Sequence, residues 1–260
     1  DLSGMDVYQT SDKGTIVVSS DGKNLSVSAQ KGGNVPSHAG YVVKQKRTPL
    51  MQKVTVQANT KKKMTPLRSE ASAAYQHYER KNIKIRILAQ AKSFTNLKQI
   101  QYKFVKKGTS KGSVPYKNGT TLTIKDGMIG RVYVRFVTGA GIDEMQLPGI
   151  AVDKKAPTKT KIKVNRSGIK TLKTSTKTSY NKKIKKSAKF VFSASYGISG
   201  KSKTQYKIVP KGKKASKYRW KTANKITYKK KNKKVSIYAR FIDKCGNITQ
   251  RKSSGFYITK

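Results

Sequence analysis

The chain is short of most side chains from which chemistry is built. Its 260 residues hold one cysteine, Cys245, two histidines, His38 and His77, one tryptophan and eleven carboxylates. A lone cysteine excludes an intramolecular disulfide and leaves stability to the core. Two histidines and eleven acids without recognisable spacing supply neither a metal set nor a general acid/base pair, and no glycine-rich phosphate loop follows a strand. The sequence therefore reads as non-enzymatic, with no catalytic residue, no metal and no cofactor. His38, in Pro36-Ser37-His38-Ala39-Gly40, and His77, in Tyr75-Gln76-His77-Tyr78, read as loop residues. Cys245 reads as a small packing residue in the slot that Ala140 takes. No apolar run reaches about 18 residues, so no membrane-spanning helix is expected.

What the chain does have is an internal repeat. A tyrosine is followed six residues later by a glycine three times: Tyr8 and Gly14, Tyr102 and Gly108, Tyr206 and Gly212. The spacing between copies is about the length of one small β-domain, which implies a tandem array. The register runs further. Gln101-Tyr102-Lys103-Phe104-Val105 aligns with Gln205-Tyr206-Lys207-Ile208-Val209, and Val132-Tyr133-Val134-Arg135-Phe136 with Ile237-Tyr238-Ala239-Arg240-Phe241. Each copy closes on a short apolar stretch, Gly40 to Val43, Gly149 to Val152 and Gly255 to Ile258. The junctions repeat too, with Pro49 and Pro157 stiffening the entry to the next copy. The expected modules are 1–48, the back part of an incomplete copy cut from a longer protein, then 49–156 and 157–260.

Within a copy the apolar pattern has period two. Ile83, Ile85, Ile87 and Ala89 alternate with Lys84, Arg86, Leu88 and Gln90, and Val235, Ile237, Ala239 and Phe241 alternate with Ser236, Tyr238 and Arg240. Further strands are expected over 121–124, 190–194 and 226–228, between turn clusters such as Asn118-Gly119 and Asp126-Gly127. About seven short strands per ~100 residues is the pattern of an all-β, antiparallel sandwich. The stretch from Ser69 to Arg80, with Ala71, Ala73 and Ala74, reads as a loop insertion that could hold a helical turn.

The turn Asp243-Lys244-Cys245-Gly246-Asn247 and the exit Val152-Asp153-Lys154-Lys155-Ala156-Pro157 resemble the bacterial Ig-like repeats of Gram-positive cell-surface proteins, which commonly read Asp-x-Ala-Gly-Asn and Val-Asp-x-x-Ala-Pro. The middle copy departs from this, with Thr138-Gly139-Ala140-Gly141-Ile142 at the same turn. The resemblance covers nearly the whole chain. It implies tandem Ig-like or fibronectin-III-like sandwiches and a role as stalk, spacer or adhesive unit outside the cell, at the surface or in the wall. Lys-to-Asn isopeptide bonds occur in some related surface domains, but they need a buried acid and this chain has few.

Charge is the second strong feature. Lysine and arginine number 59, which gives a formal net charge of +48 and a sequence pI of about 10.4. From residue 154 onward there are 34 basic residues and one acid, Asp243. The lysines cluster at Lys182, Lys183, Lys185 and Lys186, at Lys211, Lys213 and Lys214, and at Lys229, Lys230, Lys231, Lys233 and Lys234, positions that read as loops and hairpin ends. Alternate strand residues lie about 6.6 Å apart, inside the ~8 Å screening length of physiological salt, so these ammonium groups repel and favour a polyanion. These twelve lysines are the candidate site. The expected partner is an anionic polysaccharide or cell-wall polymer such as teichoic acid, a glycosaminoglycan or a mucin glycan, met by a monomer that does not insert in membranes. Two alternatives stay open. One is a nucleic-acid-binding basic β-protein, although the cations are 49 lysines to ten arginines and lysine tracks phosphate without reading bases. Nonspecific nucleic-acid binding in vitro is expected either way. The other is a passive stalk of a larger surface enzyme, in which the lysines serve only to solubilise and to guard sheet edges.

Overall fold

A computed structural model describes residues 16–20, 25–29, 50–68, 75–93, 95–165 and 168–259. The chain divides into two units, residues 1–47 and 48–260. In the first, strands Ile16–Ser20 and Leu25–Ala29 pair antiparallel. Tyr8, Gly14, His38 and the Gly40 to Val43 stretch lie outside the described residues.

The second unit holds two sandwiches. In the middle one, a three-stranded sheet runs in the order Met51–Ala58, Ile83–Ala91, Thr121–Ile124. It packs on a larger sheet ordered Tyr75–Glu79, Gly149–Val152, Ile129–Thr138, Leu97–Lys106, Lys117–Asn118, with Gly141–Gln146 also paired to Ile129–Thr138. The last sandwich repeats the plan. Its small sheet is Thr158–Val164, Ala188–Ser195 and Lys225–Tyr228. Its large sheet centres on Val235–Asp243, flanked by Lys201–Pro210 and Ile248–Ser253, with Phe256–Thr259 pairing both Val235–Asp243 and Lys182–Lys185. Each sandwich has its own core, built from the alternate apolar residues. Ile83, Ile85, Ile87, Val132, Val134 and Phe136 fill one; Phe190, Phe192, Ile237, Ala239, Phe241 and Phe256 fill the other. The burial of whole strand faces is what outweighs the repulsion of the lysines outside. Tyr102 and Tyr206 occupy equivalent places, opposite Val134 and Ala239, and the glycines six residues on, Gly108 and Gly212, turn with φ of 84° and 77°.

Two expectations are corrected. Tyr75–Glu79 is a strand, not a loop insertion, and His77 sits on it 2% exposed. The inward residues, His77 and Glu79, are polar, so the alternation carries no hydrophobic signal. What holds the strand is backbone and buried polar bonding. It pairs parallel with Gly149–Val152, and Glu79 accepts from the Lys61 N–H at 2.9 Å through its carboxylate and from the Asp153 N–H at 3.1 Å through its carbonyl. Lys182–Lys185 is likewise a strand, parallel to Phe256–Thr259, with Ile184 alone turned into the core. One parallel pair thus closes each otherwise antiparallel large sheet.

The two turn signatures meet at the junction between the sandwiches. The Asp153 carboxylate is buried and accepts from Ser199 N–H at 3.2 Å, Ser199 O–H at 2.7 Å and Lys155 N–H at 3.0 Å. Asn247 donates its side-chain amide to the Asp153 carbonyl at 2.7 Å and to Asp243 at 2.8 Å. Thr249 donates to the Pro157 carbonyl at 2.6 Å. Gly197, with φ of 64°, lets its chain pass so close that a Cβ there would stand 3.1 Å from the Asp153 carboxylate. The acid of one copy and the asparagine turn of the next therefore clamp the modules end to end. Asp153→Ala leaves the buried Ser199 N–H unpaired and its O–H with only the Tyr196 carbonyl at 3.5 Å, and is expected to cost about 1–3 kcal/mol. Chemical denaturation checks this: an unchanged midpoint means the clamp contributes nothing.

Candidate functional site

The twelve lysines lie around one edge of the last sandwich. Phe256–Thr259 has Lys182–Lys185 on one side in parallel register. On the other side Lys231 bridges Ile258, and the Asn232 N–H donates to the Ile258 carbonyl at 2.9 Å. The Lys186 N–H donates to the Thr259 carbonyl at 3.2 Å, and the Lys211 N–H to the Lys234 carbonyl at 2.9 Å. Backbone pairing thus gathers clusters that the sequence separates by up to 52 residues, from Lys182 to Lys234. Eleven of the twelve are exposed and Lys182 is half-buried. None of the twelve forms an ion pair among the described residues, whose salt bridges are Arg68 to Asp143, and Lys111 and Arg135 to Glu144. Lys211 and Lys234 reach the rings of Tyr180 and Tyr257, at 5.9 and 5.7 Å from the centroids.

A second arrangement, which the clusters do not contain, sits on the outer face of each large sheet. In the middle sandwich, cross-strand register places Lys103 opposite Tyr133, and Gln101 opposite Arg135. Arg135 in turn faces Glu144, and Tyr133 faces Gln146. Tyr116 lies over this face, with the Lys103 ammonium 4.3 Å and the Arg135 guanidinium 4.0 Å from its ring centroid. Glu144 is the hub. It accepts from the Tyr116 hydroxyl at 2.5 Å and from Arg135 Nε at 3.0 Å, and it pairs with Lys111. Burial on its own would raise the Glu144 carboxyl, but the hydrogen bonds from Lys111, Tyr116 and Arg135 hold it down at about 2. Burial and the bond to Glu144 push the Tyr116 hydroxyl up.

The last sandwich keeps the frame and changes its charges. Lys207 faces Tyr238, which faces Lys252; Gln205 faces Arg240, which faces Gln250. Trp220 stands where Tyr116 does, each fourteen residues beyond its tyrosine. The Lys207 ammonium and Arg240 guanidinium are 4.6 and 4.7 Å from the Trp220 ring centroid, and the Lys252 ammonium is 5.8 Å from that of Tyr238. Arg240 Nε donates to Gln205 at 2.7 Å and Lys207 Nζ to the Ala215 carbonyl at 2.5 Å. Burial lowers Lys207, with the Arg240 charge adding to it, and burial lowers Lys252.

The alignment of Val132-Tyr133-Val134-Arg135 with Ile237-Tyr238-Ala239-Arg240 sets each tyrosine two positions before an arginine. Sequence reading missed Lys207, Trp220 and Lys252, because only strand register sets them beside Arg240. Cys245 is buried with its thiol pushed up to about 11 by desolvation. Its neighbour Asn247 is committed to Asp243 and Asp153. Among the described residues no group of three or more His, Cys, Asp or Glu could hold a metal ion. Among the described residues no helix is long and apolar enough to cross a membrane.

Glu144 makes the middle sandwich acid-sensitive in a defined window. Its folded value lies below the ordinary 4.5, so its stabilisation is complete above about 4.5 and is lost as pH falls through about 2. Glu144→Gln is expected to remove that part of the pH dependence, read by thermal unfolding between pH 2 and 5; an identical profile in the variant contradicts the assignment.

No protein-family model and no curated protein matches the sequence. Among solved structures, the chain is similar to the fibronectin(III)-like modules of Clostridium thermocellum CbhA, at 14% identity over 75% of this chain and 94% of that one, with a TM-score of 0.32. It is also similar to the FN1-FN3 domains of chicken CNTN1, at 12% identity over 70% of this chain and 64% of that one, with a TM-score of 0.31. The architecture of the described residues is all-β: two sandwiches in tandem in the second unit, and one pair of antiparallel strands in the first.

Proposed function

We propose that this chain is a non-enzymatic extracellular region of a Gram-positive cell-surface protein, a spacer and adhesive unit whose last module binds anionic polymers. The observation that carries the reading is the gathering of twelve lysines around the Phe256–Thr259 strand of a module whose single acid, Asp243, is buried and committed to Asn247. Nothing inside the module neutralises that edge, so counterions or a polyanion must. The end-to-end clamp at Asp153 supports the spacer part, because a module held by its neighbour keeps its outer edge at a fixed distance from the joint.

The test is binding of heparin and of teichoic acid by the full chain at low and physiological salt, beside a variant with all twelve lysines changed to glutamine. Wild-type affinity is expected to fall steeply with salt, as counterion release requires, and the variant to bind at least about tenfold more weakly. A variant that binds as the wild type does reduces these lysines to solubilising charge; no binding by the wild type leaves a passive spacer.

A further inference from the structure

We infer that Lys207, Arg240, Lys252 and Trp220 form a binding site for the carboxylate of an acidic polysaccharide. This rests on the polyanion reading above and moves its centre from the exposed edge to the outer sheet face. The argument is a comparison of the protein with itself. In the middle sandwich three cations, Lys103, Lys111 and Arg135, surround a carboxylate that the chain supplies, Glu144, and the Tyr116 hydroxyl donates to the same oxygen as Arg135. In the last sandwich strand register puts Gln250 where Glu144 stands and Lys252 where Gln146 stands. The frame thus keeps two cations, Lys207 and Arg240, has Ala215 in place of Lys111, gains Lys252, and has lost its acid.

The donors left over point to what is missing. Lys252 is 6% exposed, and its ammonium has no hydrogen bond or ion pair among the described residues; its one contact is the Tyr238 ring. The indole N–H of Trp220, the residue equivalent to Tyr116 by spacing, has no hydrogen-bond partner among them either. Arg240 uses Nε on a neutral amide, Gln205, which leaves its charge uncompensated. Taking a lysine out of water without a counter-charge is costly, and the one acid of the module, Asp243, is spent at the junction with Asn247. A carboxylate arriving from outside would meet the charges of Lys252 and Arg240 and the free indole N–H of Trp220.

The surface favours a sugar polymer over a peptide. Gln250 is exposed and Arg240 and Trp220 are half-buried, and none of the exposed large apolar side chains, Leu88, Ile142, Val191, Ile198 and Ile248, falls in the rows Lys207–Tyr238–Lys252 or Gln205–Arg240–Gln250. A peptide partner draws its affinity from apolar anchors in pockets, whereas a polyuronate offers a repeating carboxylate to a flat, polar, cationic face.

Trp220 is the sole tryptophan, so its fluorescence reports on the site directly. Polygalacturonate titrated into the full chain is expected to change that fluorescence saturably. Gln250→Glu restores the middle module's own acid and is expected to weaken the effect at least tenfold with an unchanged unfolding midpoint. Lys252→Gln, the middle module's residue, should weaken it too. The variant lacking the twelve edge lysines should keep the Trp220 response. Four results overturn the proposal: Gln250→Glu binding as the wild type does, no saturable response in the wild type, loss of the response in the twelve-lysine variant, or tighter binding of polyglutamate than of polygalacturonate. Loss of binding in the twelve-lysine variant with Gln250→Glu unaffected would leave the edge reading standing and remove this site alone.

Discussion

Charge imbalance is the constraint on which the structure turns. Fifty-nine cations share the chain with eleven carboxylates, so most ammonium and guanidinium groups cannot be met by an acid. The fold responds by giving them other company. Lys207 and Arg240 lie by the Trp220 ring, Lys103 and Arg135 by Tyr116, and Lys103 and Lys207 donate to the carbonyls of residues eight positions on. Ring contacts of this kind contribute about 0.5–1 kcal/mol at exposed sites, enough to place a cation and too little to discharge it. The remaining charge is turned outward, which keeps the sheet edges from pairing with other chains.

The few acids are correspondingly valuable, and four of the described ones hold elements together. Asp153 and Asp243 fasten one sandwich to the next, Glu79 fixes the Tyr75–Glu79 strand, and Glu144 balances the outer face of the middle sheet. Replacing such a residue does more than remove a charge, since it strands donors already taken out of water. The middle and last sandwiches therefore differ in one respect above others. The strand frame carries a carboxylate, Glu144, in the middle copy and a neutral amide, Gln250, at the same place in the last.

How much of this the sequence carried depends on whether the signal was apolar. The alternation at Ile83, Ile85 and Ile87, and at Val235, Ile237 and Ala239, announced strands that the structure contains, and the equivalence of Tyr102 and Tyr206 was visible as spacing. The Tyr75–Glu79 strand was not, because its inward residues are a histidine and a glutamate and its stability comes from pairing with a strand some 75 residues later. The site followed the same rule. Runs of lysine stood out by composition, but the Lys207, Arg240 and Lys252 nest spans three strands and exists only once register is known. The turn motifs were legible as punctuation; that Asp153 and Asn247 grip each other across a joint was not, since each motif looks complete within its own copy.

The protein contains its own control for the central claim, that a charge frame filled in one module is empty in the next. The Arg135 Nε–H donates to Glu144 and the Arg240 Nε–H to the neutral Gln205, and an amide and arginine-side-chain NMR spectrum of the full chain follows both. On addition of polygalacturonate the account predicts movement of the Arg240 Nε–H and Trp220 indole resonances while the Arg135 Nε–H stays in place. Equal movement of both arginines, or of neither, would contradict it.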